Sequence, residues 1–272
     1  MTPFVKWAGG KGQVLERILA LIPQQFNNYY EPFLGGGAVL LGAHPQQGFA
    51  NDINEQLINA FIRIKDNLND LLAEIAMLDM VPCDKDFYIA RRAEYNEYLA
   101  ANYCTARSAA LFIWLNKHCF NGLYRVNSRG LFNVPYNNRI NGASININNI
   151  NEIHEYLQNA DIHFSSVDFV EFCADVGAGD LVYFDSPYVP LTETANFTDY
   201  TIGGFTYEDH QRLANLYREL DVRGAQLILS NNDVPLVYEL YQGFNIQAFD
   251  VRRLVNRNAN GRSSREVLIT NF

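Results

Sequence analysis

Apolar and polar residues alternate with two different periods along the first third of the chain, and the switches between the periods mark its elements. From Lys11 to Leu21 the apolar positions Val14, Ile18 and Leu21 fall on one face of a helix. NNYYEPF (27–33) then reads as a strand running into Gly35, Gly36 and Gly37, and AVLLGA opens a helix. GFANDIN (48–54) is a second strand, ending at Asp52, and an amphipathic helix follows through EQLINAFIRIKDN. This βαβ rhythm predicts a parallel sheet with helices on both faces.

The rhythm stops near Asn67. Three helical patterns follow, LNDLLAEIAML, DFYIARRAEYNEYLA and RSAALFIWLNKH, and then a Gly- and Asn-rich, aromatic, basic segment, FNGLYRVNSRGLFNVPYNNRINGAS. Strands return at ADIHFSS and DLVYFDSPY. Thr206 with Asp209 resembles a capping box at the head of another helix. AQLILSNN and EVLITNF read as further strands. The pattern predicts an α/β domain made of residues 1–66 and 155–272, split by a largely helical insertion, 67–154.

Composition narrows the class. The chain has 272 residues, enough to bury a substantial core, and its 48% apolar and 19% charged residues exclude collagen, coiled coil and wholesale disorder. No run approaches the 18 or more apolar residues that a membrane span needs. MTPFVKWAGGKG is not the start of a signal peptide. Cys83, Cys104, Cys119 and Cys173 form no CxxC pair, so reduced thiols and a cytoplasmic location are expected. The net charge of −9 speaks against indiscriminate coating of nucleic acid. The distribution says more: four cations and no acid lie between Lys117 and Arg139, and five arginines and no acid between Arg252 and Arg265. Such runs are solvated faces or phosphate-facing grooves.

Two places carry candidate chemistry. Gly35–Gly37 sit between a strand and a helix, where glycine allows a tight turn and close approach to a ligand. Leu40 breaks the GxGxxG pattern, and Gly12 after Lys11 breaks the P-loop pattern, so a plain turn stays open. Asp52 lies 17 residues past Gly35, near the offset at which an acid takes ribose hydroxyls. The second place is Asp185-Ser186-Pro187-Tyr188 at the end of an apolar strand. It reads as a turn with a capping Asp, or as a carboxylate, a carbonyl and an aromatic face arranged around an exocyclic amine.

KWAGGKGQVL, YEPFLGGGA, FANDIN, FNGLYRVNSRGLFNVPY, DFV and YFDSPYVPLTETANFTDY, in this order over nearly the whole chain, resemble the DNA adenine methylase (Dam) family. These are α-type N6-adenine methyltransferases using S-adenosylmethionine. The resemblance implies a Rossmann-like class I methyltransferase sheet and an inserted target-recognition domain with a β-hairpin. It implies that Trp7 and Lys11 contact the methyl donor, with Glu31 and Phe33 of the same motifs. Gly35, Gly36 and Gly37 would cradle the donor's methionine part, Asp52 its ribose and Asp168 its adenine edge. Asp185 becomes the catalytic acid and Tyr188 the platform for the extruded base, with Ser186 and Pro187 between them. The family tetrapeptide is Asp-Pro-Pro-Tyr; Ser186 keeps the backbone carbonyl that accepts from the amine but loses proline's fixed φ.

Reading of double-stranded DNA falls to the insertion. Phe120 and Leu123 are apolar tips suited to a base stack, and Arg125 can fork to guanine in the major groove. Lys117, Arg129 and Arg139 suit phosphates. Asn121, Leu123, Arg125 and Pro135 resemble the family's GATC-reading hairpin, which also holds Asn127. Phe120 stands where the family has Tyr. Lys6 matches a residue that helps read the outer base pair. The expected activity is methylation of adenine N6 in 5′-GATC-3′ by base flipping, with no obligate protein partner. The alternative is a catalytically impaired DNA-binding protein of the same fold, with Ser186 as the lesion; an RNA or protein-glutamine methyltransferase is disfavoured by the hairpin. No His spacing suggests a metal, and Trp114, within ALFIWL, is expected in the core.

Overall fold

The computed structural model describes residues 1–139, 142–191, 204–252 and 263–272. TETANFTDY and most of the C-terminal arginine run lie outside them. The first elements in chain order are α1 (Leu15–Leu21), β1 (Tyr29–Glu31), α2 (Ala38–Ala43), β2 (Gln47–Asn51) and α3 (Glu55–Asp66). Next come α4 (Leu68–Asp79), α5 (Lys85–Ala101), α6 (Ala106–His118), a 3₁₀ turn at Phe120–Gly122, and α7 (Ile147–Asn159). The remainder is β3 (Asp161–Ser165), α8 (Phe169–Phe172), β4 (Leu181–Phe184), α9 (Tyr207–Val222), β5 (Gln226–Asn232), α10 (Pro235–Leu240), β6 (Asn245–Arg252) and β7 (Ser263–Thr270).

Among the described residues, seven strands form one sheet in the order β3-β2-β1-β4-β5-β7-β6. β1 pairs in parallel with β2 and β4, and β4 with β5, while β7 runs antiparallel to both β5 and β6. This is the Rossmann-like α/β arrangement that the family resemblance implies, with β7 antiparallel where the sequence pattern alone predicts a parallel sheet. The direction of winding reverses between β1 and β4, and ligands of such sheets bind beyond the carboxyl ends of the strands at that reversal.

The chain divides into two compact units. One comprises residues 11–34, 47–51 and 167–272. Its central strands β1 and β4 are buried along their whole length, as strands covered on both faces are, and β4 is continuously apolar. Phe184, Leu213, Tyr217, Leu227 and Ile269 pack into its core. The capping box is present at α9: Thr206 Oγ1 accepts from Asp209 N at 3.2 Å, and Thr206 N donates to the Asp209 carboxylate at 2.9 Å. α1 starts at Leu15, later than the pattern from Lys11 suggested. The preceding glycine-rich stretch ends in a turn closed by Leu15 N donating to Lys11 O.

The other unit comprises residues 1–10, 35–46 and 52–166. Its centre is α6, whose ALFIWL segment is apolar all round and packs against α3, α4 and α5. Trp114 is fully buried, as the sequence predicts. No helix among the described residues is long and apolar enough to cross a membrane.

Candidate active site

In the first unit described above, β4 delivers Asp185 to the carboxyl edge of the sheet, next to the end of β1 at Glu31. Asp185 is 21% exposed, and its Oδ1 lies 2.6 Å from the Nζ of Lys11, itself 5% exposed. Ser230 Oγ donates to the same Oδ1 at 3.2 Å. Its single proton is thereby used, so Tyr183 OH, 3.0 Å away, is the donor to Ser230. Burial raises the Asp185 carboxyl above the ordinary range, opposed by the Lys11 charge and by hydrogen bonds from Lys11 and Ser230. The Lys11 ammonium also stands 4.6 Å from the centre of the Tyr188 ring. Tyr188 OH donates to Glu266 on β7 at 3.2 Å.

The turn after Asp185 is braced by β5. Val189 N donates to Asn231 Oδ1 at 2.9 Å, and Asn232 Nδ2 donates to Val189 O at 2.7 Å. Ser186 is buried, and its hydroxyl has no hydrogen-bond partner among the described residues. Pro187 is exposed. Glu31 is buried and accepts from Tyr29 OH at 2.7 Å. Phe33 packs edge-on to Phe205 and tilted on Phe169. Asp168 caps α8 and forms an ion pair with Arg212 at 2.8 Å.

In the other unit, Asp52 binds the glycine loop to the start of α3. Its Oδ2 accepts from Gly35 N at 2.9 Å and its Oδ1 from Asn54 N at 3.0 Å. Burial raises this carboxyl too, opposed by the two backbone donors. Gly35 and Gly37 have φ of +51° and +72°, which favour glycine. A Cβ on Gly35 would sit 2.8 Å from Trp7 Cδ1, so only glycine lets the loop run against the indole. Trp7 stacks on Tyr124 at 5.5 Å.

The same unit holds the hairpin. Phe120 and Leu123 are 50% and 39% exposed, unusual for large apolar side chains. Val126 bridges Phe132 in antiparallel fashion, and Arg125 Nε donates to Asn133 Oδ1 at 2.8 Å. Asn127 shapes the turn: its Oδ1 accepts from the backbone of Arg129 and Leu131. Pro135 O accepts from Phe120 N, and the exposed Asn121 has φ of +57°. Lys6, Lys117, Arg125, Arg129 and Arg139 are all exposed. Ser230, Asn231, Asn232, Glu266 and Tyr124 escaped the sequence reading as site residues. The first three form the polar end of an apolar strand, a signal that was read as strand alone.

Residues 7–254 match the family described as D12 class N6 adenine-specific DNA methyltransferase. With well over half of its length matched, the chain belongs to that family, and it is accordingly an adenine-specific DNA methyltransferase acting at N6. A type II methyltransferase, M1.LlaDCHI of Lactococcus lactis subsp. cremoris, is 38% identical over 100% of this chain and 96% of its own length. The DNA adenine methylase of Serratia marcescens is 35% identical, over 96% and 94% of the two chains. That of Escherichia coli strain K12 is 32% identical, over 98% and 93%.

Proposed function

We propose that the enzyme takes its methyl group from S-adenosylmethionine and places it on the adenine of 5′-GATC-3′ in duplex DNA, with that adenine swung out of the stack. The observation that carries this reading is the Asp185 carboxyl, held in a largely enclosed place by Lys11 and Ser230 at the carboxyl edge of the sheet. A fixed acceptor in a low-dielectric site polarises an exocyclic amine far better than water does. The Ser186 carbonyl is the second acceptor. Tyr188, anchored through Glu266, offers a held ring to the base.

The chemistry of the residues around the glycine loop fits the donor. Asp52 is a half-buried carboxylate with lone pairs beyond those its two amides use, suited to vicinal hydroxyls. Gly35–Gly37 leave the loop backbone without side chains, and Trp7 supplies an aromatic face. Lys11, Glu31, Phe33 and Asp168 complete the assignment that the family resemblance suggests. When bound, the donor supplies a methyl on a good leaving group. Extrusion of the adenine costs a few kcal/mol, which apolar tips such as Phe120 and Leu123 offset by filling the stack. Arg125 reads a guanine edge, with Asn121 and Pro135 beside it on the hairpin. Lys117, Arg129 and Arg139 hold phosphates, and Asn127 keeps the hairpin turn in shape.

The test is incubation with tritiated S-adenosylmethionine and two duplexes, one containing GATC and one with its letters permuted. Label confined to the first duplex is expected. Equal labelling of both would overturn the target assignment, and no labelling of either would overturn the donor.

A further inference from the structure

We infer that Asn116 is a positioning residue for base recognition, acting through Lys6; the inference rests on the reading of Lys6 and its hairpin as DNA-contacting. Asn116 lies in the last turn of α6, directly after the apolar run, and is 5% exposed. Its Oδ1 accepts from Lys6 N at 2.8 Å, and its Nδ2 donates to Lys6 O at 2.8 Å and to Gly122 O at 2.9 Å. The backbone N–H and C=O of Lys6 are thus both satisfied by one carboxamide, as a neighbouring strand would satisfy them. The third bond fixes the end of the 3₁₀ turn whose neighbours Phe120 and Leu123 are the exposed tips. Among side chains, this pattern demands one acceptor and two donors on a short stem. Aspartate supplies the acceptor and neither donor.

Gly122 holds Lys6 from the other side. Its φ is +67°, and a Cβ there would lie 2.7 Å from Lys6 Cβ and 2.6 Å from Cδ. The root of Lys6 is therefore clamped, while its side chain remains exposed along a groove of about 480 Å³. Lys6 and Lys117 are the charged residues of that groove; Ser144, Asn146 and Asn149 also line it, and no carboxylate does. A lysine on its four-carbon stem is a poor reader of sequence unless its root is fixed, because the ammonium samples many positions at similar cost. Asn116 references that ammonium and the apolar tips to one point on a buried helix.

The experiment compares kcat/KM for methylation of a GATC duplex and of a duplex altered at the outer base pair. The variants are Asn116→Asp, Lys6→Ala and the pair combined, each checked by thermal melting. Each single change is expected to lower the ratio of the two kcat/KM values about tenfold, the loss falling on the cognate duplex. The double variant is expected to lose no more than the worse single one, since both act through one side chain. Gly122→Ala, which displaces Lys6 while sparing α6, should give the same loss and serves if Asn116→Asp does not fold. Wild-type discrimination in Asn116→Asp or Gly122→Ala beside a relaxed Lys6→Ala would overturn the inference. So would losses that multiply in the double variant. Unchanged discrimination in Lys6→Ala would overturn instead the assignment of Lys6 to DNA.

Discussion

Asp52 and Asp185 are both largely withdrawn from water, and burial pushes both carboxyls upward, yet the two compact units oppose that rise by different means. Asp52 is held by two backbone amides, fixed dipoles that cannot move without moving the loop and helix they belong to. Asp185 is held by a full opposite charge on Lys11 and by a hydroxyl. The backbone solution suits a group that holds a ligand in place, since its strength is built into the fold. The side-chain solution suits a group that must respond to a reacting partner. A buried carboxylate with a cationic partner can be tuned by changing one side chain, and its loss leaves that cation stranded.

The comparison can be broken most severely at Asp185. Asp185→Ala should lower single-turnover methylation by about 10²–10³-fold, because one preorganised charged acceptor is worth roughly 3–4 kcal/mol to a transition state. DNA affinity measured by filter binding should survive. An Asp185→Ala enzyme as fast as the parent would remove the residue from the chemistry.

Asp52→Ala is the milder counterpart. Losing a charged acceptor for two hydroxyls should weaken S-adenosylmethionine about tenfold or more, at roughly 1.5–3 kcal/mol, with DNA affinity in the absence of donor little changed. Calorimetry on the two proteins measures it, and equal dissociation constants would contradict the role.

Lys11 sharpens the contrast through pH. Asp185 is a charged acceptor only when ionised, so the rate should fall as pH drops through its raised pKa. Lys11 opposes that rise. In Lys11→Ala the acid limb of kcat/KM should therefore move to higher pH. A limb unmoved by the substitution would mean that the 2.6 Å contact does not set the ionisation of Asp185.

The smallest effect is expected at Ser186. Its hydroxyl is buried with no partner among the described residues, so its removal breaks no hydrogen bond seen there. Ser186→Pro should keep or modestly raise the methylation rate, because proline narrows the unfolded ensemble and fixes φ near −65°. A severe loss in single-turnover kinetics would show that serine's own conformation or hydroxyl matters to the acceptor.

Much of this architecture was legible because strong local signals agreed with the tertiary result. The apolar run Leu181–Phe184 could hardly be anything but a central strand, and Thr206 with Asp209 marked a helix start that the structure reproduces. β6 was missed for a physical reason. It is an edge strand, pairing with β7, and NIQAFDV mixes exposed and half-buried positions without the continuous apolar run that marks β4. The acidic and glycine positions could be proposed from spacing and resemblance. The side chains that set their behaviour could not: Ser230, Glu266 and Asn116 are distant in sequence from what they hold, and no spacing rule connects them.

The antiparallel insertion of β7 between β5 and β6 also imposes a timetable on synthesis. Asn232 and its β7 partner Glu266 are 34 residues apart, and β5 lacks its β7 neighbour until that segment has left the ribosome. At about 5–20 residues per second, the interval is roughly 2–7 s. During it the backbone of Gln226–Asn232 presents an apolar strand edge, open to pairing with any extended chain nearby. The nascent enzyme is thus most exposed to misassembly between the synthesis of β5 and that of β7, and slowing the ribosome just before Ser263 would lengthen the period of risk.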